Sequence, residues 1–531
     1  MVLFVLGLGA CSQAGSGGGE DARMVRFAVP ADPSSLNPLF MHPDSASVEA
    51  QLARLSFEPF VDMNRNGKLI PILLREIPTR RNGGLSRDGR TIIYHLRAGL
   101  RWSDGVPLTS ADVLWTLHAI LDPHNLVRSH VGYDRITSAS APNPTTIILR
   151  LNSAWAPATT AFFSYGTSPQ VVLPAHILRT QAPLERAAFN ANPTVVDGPY
   201  RLVWWHRGDA LRYEANPRFA LGAVHTREIR VRIVPDPNTN LTLLTSGQLD
   251  WNLIAPTQRA TVDVHHTLTV EMVPTSVVAG LAMNVRRPIL ADARVRRAIA
   301  LSIDRNAISQ KITLGAYPVT NQIQPQFSWA YNSKITQPSY APGRADLAFD
   351  AAGWKRGADG MRRNAAGNVL RLTYVAFPES TTGVRVATFV QAALKDRGIA
   401  VTVKSVSNAQ LFMPGTGVLA SGNFDLAYVV WTMGADPDDS AIYACGASEN
   451  FMHWCNSRVN ALEQLAIHDT SQNARRREYA SIARIVAKDV PVLWLFNAQY
   501  LYAHRTRLHG FAPNAFLPTW NAAEWSLSNA R

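Results

Sequence analysis

Between residues 369 and 431 the chain switches its hydrophobic pattern from strand to helix and back, which narrows the fold more than any other stretch. "VLRLTYVA" (369–376) reads as a strand, a helical pattern follows over about 384–397, and Gly398 ends it. "IAVTVKSV" (399–406) and "FDLAYVVW" (424–431) are strands again. Strands separated by a helix bury both faces of a sheet, so this alternation predicts an α/β domain. With 531 residues, 47% of them hydrophobic, the chain can fill two or more cores, or one unusually large one.

Other elements are legible one at a time. Met24–Val29 alternates like a first strand. Thr91–Arg97 does so with Ile92, Tyr94 and Leu96 on one face. Ser103-Asp104-Gly105 signals a turn. Thr109 and Asp112 have the spacing of a capping box opening a helix, and Val113, Leu114, Leu117, Ile120 and Leu121 follow at helical spacing. Ile229–Val234 is a predicted strand, followed by a helix that stops at Gly247. Asp292 caps a helix carrying Val295, Ile299 and Ile303. Tyr479, Ile482 and Val486 form a helical stripe, and "VPVLWLF" (490–496) is a continuous apolar run, hence a buried strand.

The formal net charge is +13, which suits nucleic acid, an anionic membrane surface or anionic ligands. The basic residues are scattered, however. The densest runs, Arg294–Arg297 and Arg475–Arg477, lie in helical patterns and are expected to be solvated faces. No nucleic-acid motif is present, and no nucleic-acid partner is expected.

Val2–Ala10 is apolar and charge-free. It is far short of the roughly 20 residues of a membrane span and has the length of a signal-peptide core. Leu8-Gly9-Ala10-Cys11 resembles the lipobox of bacterial lipoproteins, and Ser12–Gly19 follows as a flexible tether. Cys11 is therefore the expected lipidation site. No Lys or Arg precedes it, and a start codon assigned too far downstream would account for that. Cys445 and Cys455 remain as a pair. In an exported chain this spacing predicts a disulfide; a metal pair is the alternative, although His453 completes no zinc spacing.

"VVWTMGADPDDSAIYACG" (429–446) sets Asp436, Asp438 and Asp439 beside Trp431 and Met433. The cluster could hold a metal, run acid–base chemistry, bind a cationic ligand or cap a turn. Asp436, Asp438 and Ser440 have the first spacings of a calcium loop, but Ala441 and Ala447 stand where that loop needs Gly and Glu. No serine-hydrolase, zinc-protease or phosphate-loop motif occurs. An enzyme is not expected, nor is a metal or cofactor. The rival readings are a secreted hydrolase using the Asp436 cluster and a purely structural lipoprotein.

Several segments together resemble the oligopeptide/dipeptide/nickel-binding proteins of ABC importers. They are "PADPSSLNPLF" (30–40), "YHLRAGLRWSDGVPLTSADVLWTL" (94–117), "DGPYRLVWW" (197–205), "MNVRRPILADARVRRAIALSIDR" (283–305) and "DLAFDAAGW" (346–354), in that family's order. The resemblance implies a two-lobed periplasmic-binding-protein-like clamp of α/β class, with an extra domain inserted in the first lobe. Residues 1–23 would be signal and tether. Residues 24–63, 193–284 and 492–531 would build the first lobe, 64–192 the extra domain, and 285–491 the second lobe. It implies a monomeric, lipid-anchored extracytoplasmic protein that captures a peptide or peptide-like solute by hinge closure and delivers it to the importer's permease subunits. A nickel chelate, glutathione, an opine or an antibiotic peptide are alternative ligands. The family's dipeptide-binding branch carries a strand ending in Trp and, close after it, an Asp that pairs with the ligand ammonium. Trp431 matches the Trp, and Gly434 stands where the Asp would be. The expected ligand-binding residues are thus Trp431, Thr432, Met433, Gly434 and Asp436. Either Asp436 takes the amine-binding role or the ligand lacks a free amine at that point.

Overall fold

The computed structural model describes residues 23–41, 46–165 and 170–528. The lipidation expected at Cys11 falls outside them. No helix among the described residues is long and apolar enough to cross a membrane.

Ten strands form one sheet. In spatial order they are Ala400–Ser405, Arg371–Ala376, Leu426–Thr432, Leu268–Met283, Val492–Arg505, Trp251–Ile254, Met24–Val29, Glu228–Ile233, Ala210–Ala215 and Tyr200–His206. The predicted α/β alternation is present at one edge. Arg371–Ala376 runs parallel to both Ala400–Ser405 and Leu426–Thr432, and parallel neighbours need a crossover helix. That helix is Thr381–Lys395. It starts three residues before the expected position because the Ser380 hydroxyl accepts the Gly383 amide at 3.0 Å. It ends ahead of Gly398, whose φ of +79° favours glycine.

Two strands of 16 and 14 residues, Leu268–Met283 and Val492–Arg505, join the halves of this sheet. Leu268–Pro274 pairs with Arg505–Gln499, and Val278–Ala282 with Asn497–Val492; the register breaks between. Beyond the break only Val277–Met283 pairs with Leu426–Thr432, whereas before it Leu501–His504 pairs with Trp251–Ile254. Pro274 has no amide to donate, so a bulge suits it. The buried Asn497 amide spans the gap, donating to the carbonyls of Thr275 at 2.9 Å and Val277 at 2.8 Å. A narrow two-strand neck between two half-sheets is a place where bending disturbs few hydrogen bonds.

Each half-sheet has its own apolar cores. Ile299, Leu372 and Val390 centre one on the second half, and Trp431, Tyr479 and Trp494 the other. Phe27, Trp251 and Trp525 centre one on the first half. A three-stranded sheet, Thr91–His95, Thr146–Leu151 and Ile136–Asn143, forms an appended unit. Its helix Ser110–Leu121 opens with the predicted capping box, the Asp112 carboxylate accepting the Thr109 amide at 2.9 Å. The core of this unit takes in Phe57, Phe60 and Leu517, which fastens it to the first half. It also touches the second half, the Ala156 amide donating to the Ile467 carbonyl at 2.7 Å.

The basic helical runs are not solvated throughout, contrary to expectation. Arg296 is 4% exposed and donates to the carbonyls of Leu290, Ala291, Asp489 and Val490. Arg475 is 5% exposed. A buried guanidinium is tolerated only where its fork is met by acceptors: all three nitrogens of Arg296 are met, and both terminal nitrogens of Arg475.

Candidate functional site

The strand Leu426–Thr432 ends at the neck, so the residues after it enter the space between the two halves. Trp431 itself is 1% exposed. Its indole stacks on Phe451 at 6.0 Å, meets Trp494 edge-on at 5.2 Å, and donates to the Glu449 carbonyl at 3.3 Å. Met433 is 2% exposed and its amide donates to the Ser276 carbonyl at 2.9 Å, tying the loop to the neck. Thr432 is exposed, and Gly434 is half-buried. A Cβ at Gly434 would meet nothing nearer than the Asp436 carbonyl at 3.6 Å, so a side chain would have room there.

The three aspartates divide their roles. Asp436 and Asp438 each accept the amide two residues on, at 3.1 and 3.0 Å, and so shape successive turns. Asp436 also receives Arg475 bidentately, at 2.7 and 2.5 Å. Arg475 in turn donates to the Tyr479 hydroxyl at 2.9 Å and lies over the rings of Trp329 and Tyr479. Burial pushes the Asp436 carboxyl up from its ordinary range, and the Arg475 guanidinium opposes that.

Asp439 points inward. It accepts the Gln324 amide at 3.0 Å and faces Glu463 on the helix Ser457–His468. Asp439 and Glu463 are 3% and 1% exposed. Burial pushes Asp439 up to about 7 and Glu463 well above the usual carboxylate range. Asp439 Oδ1 and both Glu463 oxygens meet no donor among the described residues. A proton shared between the two acids supplies the missing donor.

The expected disulfide is present between Cys445 and Cys455, with Cα atoms 4.7 Å apart. It closes the loop that covers Trp431. In the chain-entropy model, closing a loop of about ten residues contributes roughly 2–3 kcal/mol.

Two large cavities border the stretch from Asp436 to Cys455. One, of about 830 Å³, lies within the second half alone, between the helix Asn408–Phe412 and the disulfide loop. The other, of about 810 Å³, is walled from both sides: Lys68, Arg80 and Thr160 come from the appended unit, and Trp329, Asp436 and Arg475 from the second half. Only the second can be shut or opened by movement at the neck, and it is the candidate site. Of the residues expected from sequence, Asp436 lines it. Lys68, Arg80, Trp329 and Arg475 were not anticipated. A signal existed for Arg475, because it precedes Tyr479 by one helical turn on the buried stripe.

Comparison with known proteins agrees with this architecture. The sequence matches the family described as bacterial extracellular solute-binding proteins, family 5 Middle, over residues 79–452. Protein XP55 of Streptomyces lividans is 27% identical over 528 residues, covering 96% of this chain and 90% of that protein. Among solved structures, NikZ of Campylobacter jejuni in complex with Ni(L-His) superposes with a TM-score of 0.74 at 22% identity, over 95% of this chain and 99% of that one. AppA of Bacillus subtilis in complex with a nonapeptide does so at 0.72 and 21%, with the same coverage. The chain belongs to the family 5 bacterial extracellular solute-binding proteins and has their two-lobed α/β fold.

Proposed function

We propose that this protein is an extracytoplasmic substrate-binding lipoprotein of an ABC importer. It encloses a peptide or peptide-like solute between its lobes and delivers it to the membrane permease. The observation that carries this reading is the 810 Å³ cavity between the second half and the appended unit, which is fastened to the first half beyond a two-strand neck. Its volume falls within the roughly 300–1,000 Å³ of small-ligand pockets, and hinge closure is an established way to enclose a solute. The names of the relatives add support, since AppA was solved with a nonapeptide and NikZ with Ni(L-His).

In this reading the lobes comprise residues 24–63, 193–284 and 492–531 against 285–491, with 64–192 appended to the first. The pivot lies at 275–277 and 497–498. Asp436 borders the ligand, Thr432 and Gly434 lead to it from the end of the strand, and Trp431 and Met433 support them from beneath. Asp436 is already paired with Arg475, which favours a ligand without a free amine at this point. It also argues against a hydrolase built on the cluster, so the chain is read as a binding protein and not an enzyme. It acts as a monomer, without a cofactor.

Native mass spectrometry of gently purified protein tests the ligand. A peptide-like mass that is lost on denaturation is expected. A metal-chelate mass would replace the peptide assignment, and failure to retain any solute, even after exposure to peptide mixtures, would sink the binding reading. For the anchor, Cys11→Ser is expected to move the protein from the membrane to the soluble fraction. Unchanged partitioning would refute lipidation at Cys11, since stable anchoring needs more than one acyl chain.

A further inference from the structure

Four ionisable side chains line the interlobe cavity: Lys68, Arg80, Asp436 and Arg475. Asp436 and Arg475 neutralise each other. Lys68 and Arg80 are exposed and form no ion pair among the described residues. The cavity therefore keeps two positive charges that the described residues do not balance, and both come from the appended unit.

The backbone holds these cations in place. Lys68 ends the tip of the hairpin formed by Val61–Met63 and Leu69–Pro71, where Asn64 Oδ1 accepts the amides of Asn66 and Lys68 at 3.0 Å each. Gly67 in that tip has φ +76°, and a Cβ there would come within 2.6 Å of the Phe327 carbonyl oxygen. Only glycine lets the tip press this closely on the other lobe. Arg80 sits in a loop pinned by Asn82, which accepts the Thr79 amide at 2.8 Å and donates to the Ile77 carbonyl at 3.0 Å.

The facing wall adds to the positive field. Thr470, Ser471 and Gln472 line the cavity at the start of the 18-residue helix Gln472–Asp489, whose N-terminal end carries partial positive charge. Two donors in this wall have no partner among the described residues: the Thr470 hydroxyl, and Nε of Arg475, whose side chain is 5% exposed. Positive charge and unmet donors thus converge from both lobes, while Phe327 and Trp329 supply apolar surface.

We propose that Lys68 and Arg80 receive a carboxylate of the enclosed solute, so that the appended unit selects ligands with a free C-terminal or side-chain carboxylate. This rests on the interlobe reading above. In the open state both cations are hydrated and cost little. Closure excludes water and strengthens their attraction for an anion.

The probe is a random N-acetylated tetrapeptide mixture, prepared once with C-terminal carboxylates and once with C-terminal amides. Each is offered to the folded chain, and the retained species are read by native mass spectrometry. Acid forms are expected to be retained about tenfold or more over amides at low salt, a preference that shrinks near about 0.5 M salt. Amides retained because they contain Asp or Glu would identify a side-chain carboxylate as the group bound. Lys68→Gln/Arg80→Gln, at two exposed positions, should keep wild-type circular dichroism and thermal unfolding while losing the preference. Equal retention of both forms without enrichment of acidic residues, or a preference unchanged in the double variant, overturns the carboxylate assignment and leaves the interlobe reading standing. Retention of neither form overturns the peptide reading and this assignment with it.

Discussion

Replacing Arg475 by methionine is expected to destabilise the folded chain by roughly 3–5 kcal/mol at pH 8, the range for removing one partner of a buried ion pair. The loss should be clearly smaller at pH 5. Asp436 is mostly buried, at 16% side-chain exposure, and its pKa is raised by desolvation even with the guanidinium in place. Without Arg475 the two largest influences holding it down disappear, so its folded pKa rises further above the unfolded value. An acid with a raised folded pKa is most favourable to the fold below its unfolded pKa, and that contribution is lost as pH rises through the folded value. Mild acid therefore rescues Arg475→Met by protonating the stranded carboxyl. Asp436→Asn strands a guanidinium instead, which cannot release its proton, so its loss should not shrink on acidification. Urea unfolding of both single variants and the double variant, relative to wild type at each pH, gives the coupling directly. A coupling near zero, or identical pH behaviour of the two single variants, would show that the pair does not hold the cavity wall.

How far the sequence reached depended on the range of the interaction. The capping box at Thr109 and Asp112, the Asp292 cap and the stop at Gly398 are set by neighbours a few residues away, and all are present. The strand Leu268–Met283 was not legible. Pro274 interrupts its period, and the bond that repairs the break comes from Asn497, 222 positions from Thr275. Arg475 was misread for the same reason, since its acceptor Asp436 lies 39 positions upstream. Composition marks a triplet of arginines as a solvated face, whereas the 475, 479, 482, 486 spacing places the first of them on the buried stripe. At the site itself, the residue types around Trp431 were conspicuous but their exposure was not. The Trp that a motif offers as a ligand contact is 1% exposed, packed against Phe451 and Trp494. Lys68 and Arg80 reach the cavity only because the appended unit folds across the cleft, and no local pattern encodes that.

Glu463→Gln is expected to make the protein more stable than wild type at pH 8, by roughly 2–4 kcal/mol, and to change little at pH 5. The charged or titratable groups around Glu463 are Asp439, Asp438 and the Tyr443 hydroxyl, and among the described residues no cation pairs with it; Arg475 is spent on Asp436. Desolvation is the largest cause of the raised values at both Asp439 and Glu463, followed for Glu463 by repulsion from Asp439. Because both folded pKa values lie above the unfolded ones, the pair's contribution is complete below about pH 4 and is lost as pH rises through about 7 and beyond. A glutamine amide in place of Glu463 donates to Asp439 at every pH, as the shared proton does only when present. It also removes the like charge, so the slope of stability between pH 5 and 8 should flatten. Parallel pH profiles for wild type and variant would refute the shared proton. Asp439 lies three residues from Asp436 in one loop, and its bond to Gln324 fastens that loop to the segment bearing Phe327 and Trp329. The first proton leaves near pH 7 and the shared one only at the higher Glu463 value. Losing that last proton loosens the cavity wall itself, so solute retention by wild type should fall only as pH rises well beyond 7, while that of Glu463→Gln holds.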